Sequence, residues 1–164
     1  MDQTRTPYFD VLLDYVDSGV IPFHTPGHMQ GRGMDRSLRD FLGDNVLAID
    51  LTQIRGLDDL LQPEEAIEEA QQLAAEAYGA DNSFFLINGS TSGNQIMMMA
   101  ALNPGEKIAL PRNSHKSAMG GLIMSGVAPV WMKPEVDVGL HMDHTVTPQT
   151  VRATLDEHPD VRAV

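Results

Sequence analysis

Three hydroxyl-bearing residues in a row, Ser90, Thr91 and Ser92, stand between Gly89 and Gly93, directly after the apolar run Phe84-Phe85-Leu86-Ile87. A buried strand that ends in such a turn and opens into a helix leaves backbone N–H groups unpaired at the positive end of the helix dipole. A phosphate can be gripped there without any lysine. The hydroxyls add donors, and the two glycines let the backbone come close. The same residues also suit an ordinary capped turn, with a Ser or Thr serving only as N-cap. The spacing is neither G-x-x-x-x-G-K-S/T nor G-x-G-x-x-G, so a nucleotide site has little support.

A second constellation is Leu110-Pro111-Arg112-Asn113-Ser114-His115-Lys116-Ser117, again at the C-terminal end of an expected strand. Ligands of open α/β sheets lie outside those ends, which places this segment and the Ser-Thr-Ser turn on one rim. Phosphate donors and an imidazole at two strand ends suit a ligand with a phosphate and a flat ring. Taken alone, His115 also reads as a surface or helix-capping histidine. His24 and His28, in Phe23-His24-Thr25-Pro26-Gly27-His28-Met29-Gln30-Gly31, have the four-residue spacing of a metal pair. That spacing shares a face only in a helix, and Pro26-Gly27 breaks one, so a turn-rich loop is expected and no metal. His141-Met142-Asp143-His144 reads as a solvated loop, and Met97 to Met99 as a buried, gap-filling helix face.

The elements that must position these residues follow from periodicity. Phe9, Leu12, Leu13 and Val16 fall at helical spacing in an otherwise irregular first sixty residues. Beyond Pro63, Ala66, Ile67, Ala70, Leu73, Ala74 and Ala77 recur at three- and four-residue intervals, with Pro63 suited to the first helical position and Gly79 to the C-terminal cap. Then a strand is expected over Ser83–Ile87, a helix over Ser92–Leu102, a strand over Lys107–Leu110, a helix over His115–Ser125 and a strand over Pro129–Met132. A helix over Pro148–His158 and a strand from Val161 to Val164 close the series. Such alternation implies parallel pairing, hence an α/β layered sheet with helices on its faces.

The chain has 164 residues, 42% of them hydrophobic, enough for one domain-sized core. A net charge of -12 argues against nucleic-acid or anionic-membrane surfaces and suits a small or cationic ligand. No apolar run approaches the roughly 18 residues of a membrane span, and the polar start lacks a signal-peptide layout, so a cytoplasmic location is expected. The absence of cysteine removes disulfides, thiolate metal sites and thiol nucleophiles.

Four segments in order, FHTPGHMQG, LDDLLQPEEAIEEAQQLAAEAYGAD, FFLINGSTSGN and LPRNSHKS, resemble the major domain of ornithine/lysine/arginine decarboxylases. The likeness runs from about Pro7 to the last residue and is strongest toward the shorter biosynthetic arginine/lysine decarboxylases. It implies the aspartate-aminotransferase-like fold (fold type I) with an incomplete parallel-rich sheet. Residues 1–60 would be an N-terminal arm and active-site-mouth loops, and 61–164 the truncated N-terminal part of the domain that binds pyridoxal 5'-phosphate (PLP). Ser90, Thr91 and Ser92 would hold the PLP phosphate, His115 would stack on the pyridine ring, and His24 and His28 would lie at the active-site mouth.

The implied reaction is decarboxylation of a basic amino acid, arginine first and lysine or ornithine second, in a homodimer or higher homo-oligomer. In the family, the Schiff-base lysine and the pyridine-facing aspartate come from beyond the position of Val164. Of Lys107, Lys116 and Lys133, only Lys116 follows a histidine as the attachment lysine does. It belongs instead to the ring-stacking motif, and the small-residue and Gln pattern is missing after it. A cut or remnant chain without decarboxylase activity is therefore expected. An aminotransferase or carbon–carbon lyase of the same cofactor class, and a non-catalytic remnant, are the alternatives.

Overall fold

Pro7 opens helix α1 (Pro7–Asp17), on which Leu12 and Val16 are half-buried while Phe9 and Leu13 remain exposed. The computed structural model describes all residues, Met1–Val164, and divides into two compact units, Met1–Phe85 and Leu86–Val164. In the first unit α1 packs on α4 (Ala66–Tyr78), with α2 (Arg36–Leu42) and α3 (Asp44–Ala48) between them in sequence. The two short helices were not evident from periodicity, because seven and five residues hold too few turns to show a repeat.

Helix α4 starts at Ala66, three residues later than Pro63 suggests. Its N-cap residue, Glu65, makes no side-chain cap bond. Asp58 does this work from outside the helix: its carboxylate accepts the backbone N–H groups of Glu64 (3.1 Å), Glu65 (3.1 Å) and Ile67 (2.8 Å). Gly79 ends α4 in the left-handed conformation (φ 65°), as the cap pattern requires. Ala66, Ile67, Leu73 and Ala75 are buried on α4, and Gln3 reaches it by donating from Nε2 to the carbonyl of Leu73 at 3.1 Å.

The second unit is α/β. Strands β1 (Lys107–Pro111), β2 (Ala128–Met132) and β5 (Val161–Ala163) form a parallel sheet in the order β2-β1-β5. Lys107 to Pro111 face Ala128 to Met132 in register, whereas β5 meets β1 only at Lys107↔Val161 and Ile108↔Ala163, across an irregularity. Helices α5 (Gly89–Ala101) and α6 (Lys116–Ser125) pack on each other and on β1 through a core of Met98, Leu102, Ile108, Ala118, Leu122 and Val127. Helix α7 (Pro148–Glu157) lies against β2.

Three expectations are corrected. Ser83–Ile87 is not a strand, and Phe84 and Ile87 are 78% and 82% exposed. A strand exists only where a neighbour takes up its N–H and C=O groups, and none of β1, β2 or β5 pairs with this run. Of Met97 to Met99 only Met98 is buried, since three successive helical residues span more than half a turn and cannot share one face. The segment His141–His144 includes strand β4 (Met142–Asp143), which pairs antiparallel with β3 (Val136–Asp137). No helix is long and apolar enough to cross a membrane.

Candidate functional site

The Ser-Thr-Ser segment lies inside the first turn of α5, which begins at Gly89 and not at Ser92. Gly89 takes φ 70°, a conformation costly for any residue with a Cβ, and this turns the chain from the extended run into the helix. Asn88, the N-cap, makes no side-chain cap bond. Side chains close the starts of α2 (Asp35), α6 (His115) and α7 (Thr147), whereas α1 and α3, like α5, have no such bond. Ser92 Oγ donates to the Gly89 carbonyl at 2.7 Å, while the hydroxyls of Ser90 and Thr91 are exposed. The first turn of α5 thus presents free backbone N–H groups together with two uncommitted hydroxyls.

His115 is the N-cap of α6, so the helix-capping assignment is correct. Its Nδ1 accepts the backbone N–H of Ser117 at 3.2 Å and lies 2.9 Å from Ser117 Oγ. Capping uses only that edge of the ring. The Ser117 hydroxyl is buried and also accepts from Asn94 Nδ2 of α5 at 2.7 Å. Asn94 stands one turn beyond Ser90 and on the same side of α5. Hydrogen bonds therefore run from Asn94, on the Ser90 side of α5, through Ser117 to the imidazole of His115. His115, Asn94 and Ser117 line an apolar groove of about 400 Å³ whose floor includes Met98 and Ile108. Lys116 is exposed and is not among the residues lining that groove.

Close packing of α5 on α6 makes this path possible. A Cβ on Gly120 would stand 2.7 Å from Gln95 Nε2, and one on Gly121 would collide with Met98 Sδ. At the strand ends, the Arg112 guanidinium lies 4.9 Å from the centroid of the Trp131 ring, and its backbone N–H donates to Met132 at 2.9 Å.

In the first unit, His24 and His28 have separate partners. His24 Nδ1 lies 2.6 Å from the Thr25 carbonyl, which can only accept, so Nε2 accepts from the Tyr15 hydroxyl at 2.8 Å. His28 Nδ1 accepts from the N–H of Gly31 at 3.1 Å, which leaves Nε2 to donate to Asp50 at 3.1 Å. Both nitrogens of each ring are thereby engaged. Tyr15, Asp50, Asn94 and Ser117 escaped the sequence reading. Asn94 and Ser117 stood there only as members of the segments FFLINGSTSGN and LPRNSHKS, with no role assigned to either.

A parallel sheet with a histidine-capped helix start after the C-terminal end of β1 has the site layout of open α/β proteins. The family model for the Orn/Lys/Arg decarboxylase major domain matches residues 6–164, and the chain belongs to that family. It is 46% identical over 164 residues to an arginine decarboxylase of Bacillus cereus, covering 100% of this chain and 36% of the relative. To an arginine decarboxylase of Bacillus subtilis it is 43% identical, again over 100% of this chain and over 34% of the relative. The chain thus spans about a third of the length of these curated relatives. Among solved structures, the constitutive lysine decarboxylase of Escherichia coli superposes with a TM-score of 0.77 at 30% identity, covering 99% of this chain and 24% of that one. The fold is the α/β fold of these decarboxylases, the one expected from the resemblance.

Proposed function

We propose that this chain supplies the phosphate cradle and the ring-contacting histidine of a PLP-dependent decarboxylase of basic amino acids. The carrying observation is the first turn of α5, which has no side-chain cap and free hydroxyls on Ser90 and Thr91, on a helix whose Asn94 is hydrogen-bonded through Ser117 to His115. The residues fit the cofactor. A phosphate dianion needs donors and positive potential without a competing cap, and a flat ring needs a planar partner whose own hydrogen bonds are made at its edge. When bound, PLP supplies the electron sink for the bond to the departing carboxylate.

In this assignment Ser90, Thr91 and Ser92 with the free N–H groups hold the phosphate, and His115 lies against the pyridine ring. His24 and His28 belong to the active-site mouth, in an arm and loops spanning residues 1–60, with residues 61–164 as the first part of the cofactor domain. Lys116 is not the Schiff-base lysine, because it shares a motif with the ring-contacting His115. Arginine is the first substrate, supported by the arginine decarboxylases at 43% and 46% identity, and lysine or ornithine the second. The working protein is at least a homodimer.

The test is phosphorus NMR of PLP titrated with the chain. The resonance is expected to shift and broaden, and Ser90→Ala with Thr91→Ala to weaken the effect; an unchanged resonance would remove the cradle. Carboxyl-labelled arginine, lysine and ornithine then test the reaction on the protein as its gene encodes it. Amino-group transfer without release of labelled carbon dioxide would replace decarboxylation by transamination. The 164-residue chain alone is expected to release none, and mass spectrometry after borohydride treatment with PLP to find Lys116 unmodified.

A further inference from the structure

The bonds around His115 specify more than its place. Its Nδ1 lies 3.2 Å from the backbone N–H of Ser117, a long contact that biases Nδ1 toward offering its lone pair without fixing it. Ser117 Oγ, already accepting from Asn94 Nδ2, has its own proton to give and lies 2.9 Å from the same Nδ1. Two donors thus converge on one nitrogen, and the ring proton is left on Nε2, which has no protein partner. The Ser117 side chain is almost wholly buried and its hydroxyl bonds only to these two groups, so its geometry is determined by Asn94 and His115.

We propose that Asn94 and Ser117 are positioning residues for His115, holding its imidazole in the neutral tautomer with the proton on Nε2 and the ring pinned by its Nδ1 edge. A relay of this kind stops the ring from flipping about its χ2 torsion, which would exchange the two edges, and so keeps one face presented. The consequence for PLP rests on the reading of His115 as its ring contact; the tautomer does not.

The experiment labels the six histidines of the chain with nitrogen-15 and records long-range proton–nitrogen spectra, with His115→Gln identifying the signal. The expected pattern is a protonated Nε2 and an unprotonated Nδ1. Ser117→Ala and Asn94→Leu, both uncharged changes, are expected to move His115 toward a mixture of tautomers, and Ser117→Thr, which restores a hydroxyl, to bring the single form back. If Ser117→Ala does not fold, Asn94→Leu carries the comparison, since Asn94 is only half-buried. A tautomer mixture in the wild-type chain, or an unaltered His115 in a folded Asn94→Leu chain, overturns the proposal. In the same samples the PLP dissociation constant should rise about fivefold on loss of one hydrogen bond, with inorganic phosphate binding unchanged. Absence of PLP binding to the wild-type chain would defeat the cofactor assignment while leaving the tautomer result in force.

Discussion

The carboxylate of Asp58 accepts the backbone N–H of Ile67 at 2.8 Å, and with it the N–H groups of Glu64 and Glu65, so a residue outside α4 caps its start. Partial burial works to raise the Asp58 carboxyl, but the backbone donors Asp59, Glu64, Ile67 and Glu65 outweigh it and hold the group below its ordinary value. Asp58→Ala is expected to cost about 1–2 kcal/mol in urea unfolding, and Asp58→Asn less. A depressed carboxyl stabilises the fold above the ordinary aspartate range and loses that contribution as pH falls through the folded value. The gap between wild type and Asp58→Ala should therefore narrow from about pH 4 downward, the unfolded aspartate value.

Gly121 lies where α6 meets Met98 of α5. In an exposed helix a Gly→Ala change would gain about 1 kcal/mol. At Gly121 a larger residue must displace Met98, so Gly121→Val is expected to destabilise by about 1–3 kcal/mol in thermal unfolding. Combining it with Met98→Ala should cost less than the sum of the two single changes, because the second makes room for the first.

Strand β5 is held at its start by an ion pair, Lys107 Nζ to Asp160 Oδ2 at 2.7 Å. The Lys107 hydrogen bond keeps the Asp160 carboxyl below its ordinary value. Its contribution is present above the usual aspartate range and disappears as pH falls through the folded value. Asp160→Asn is expected to speed amide hydrogen exchange at Arg162 and Ala163 while leaving β1 and β2 unchanged. Acid should produce the same local fraying in the wild-type chain.

Ile123 and Met124 project from α6 with 82% and 57% of their surface exposed. Ile123→Lys is expected to leave the unfolding midpoint within about 0.5 kcal/mol of wild type. It should raise the concentration at which light scattering first reports association, since it breaks an apolar surface with a charge.

Local signals carried most of the second unit. The helices expected over Pro148–His158 and His115–Ser125 and the apolar runs at Lys107–Leu110 and Pro129–Met132 match α7, α6, β1 and β2 nearly where the structure has them. Ser83–Ile87 failed because a strand's composition does not supply its partner. The start of α4 failed for a related reason: its cap comes from Asp58, eight residues upstream of Ala66, and Pro63 offered a nearer but wrong boundary. At the site, residue types pointed to the hydroxyl turn and to His115. Asn94 and Ser117 could not be read as a pair, since only the packing of α5 on α6 brings their side chains within 2.7 Å.

That same contact limits how the protein can be taken apart by engineering. A transplant of α6 alone into another scaffold would carry a histidine without its clamp, and α5 alone would carry a hydroxyl turn with an idle asparagine. The smallest portable piece is the run from Gly89 to Ser125, in which the two glycines of α6 set the helix spacing and the spacing sets the orientation of the imidazole.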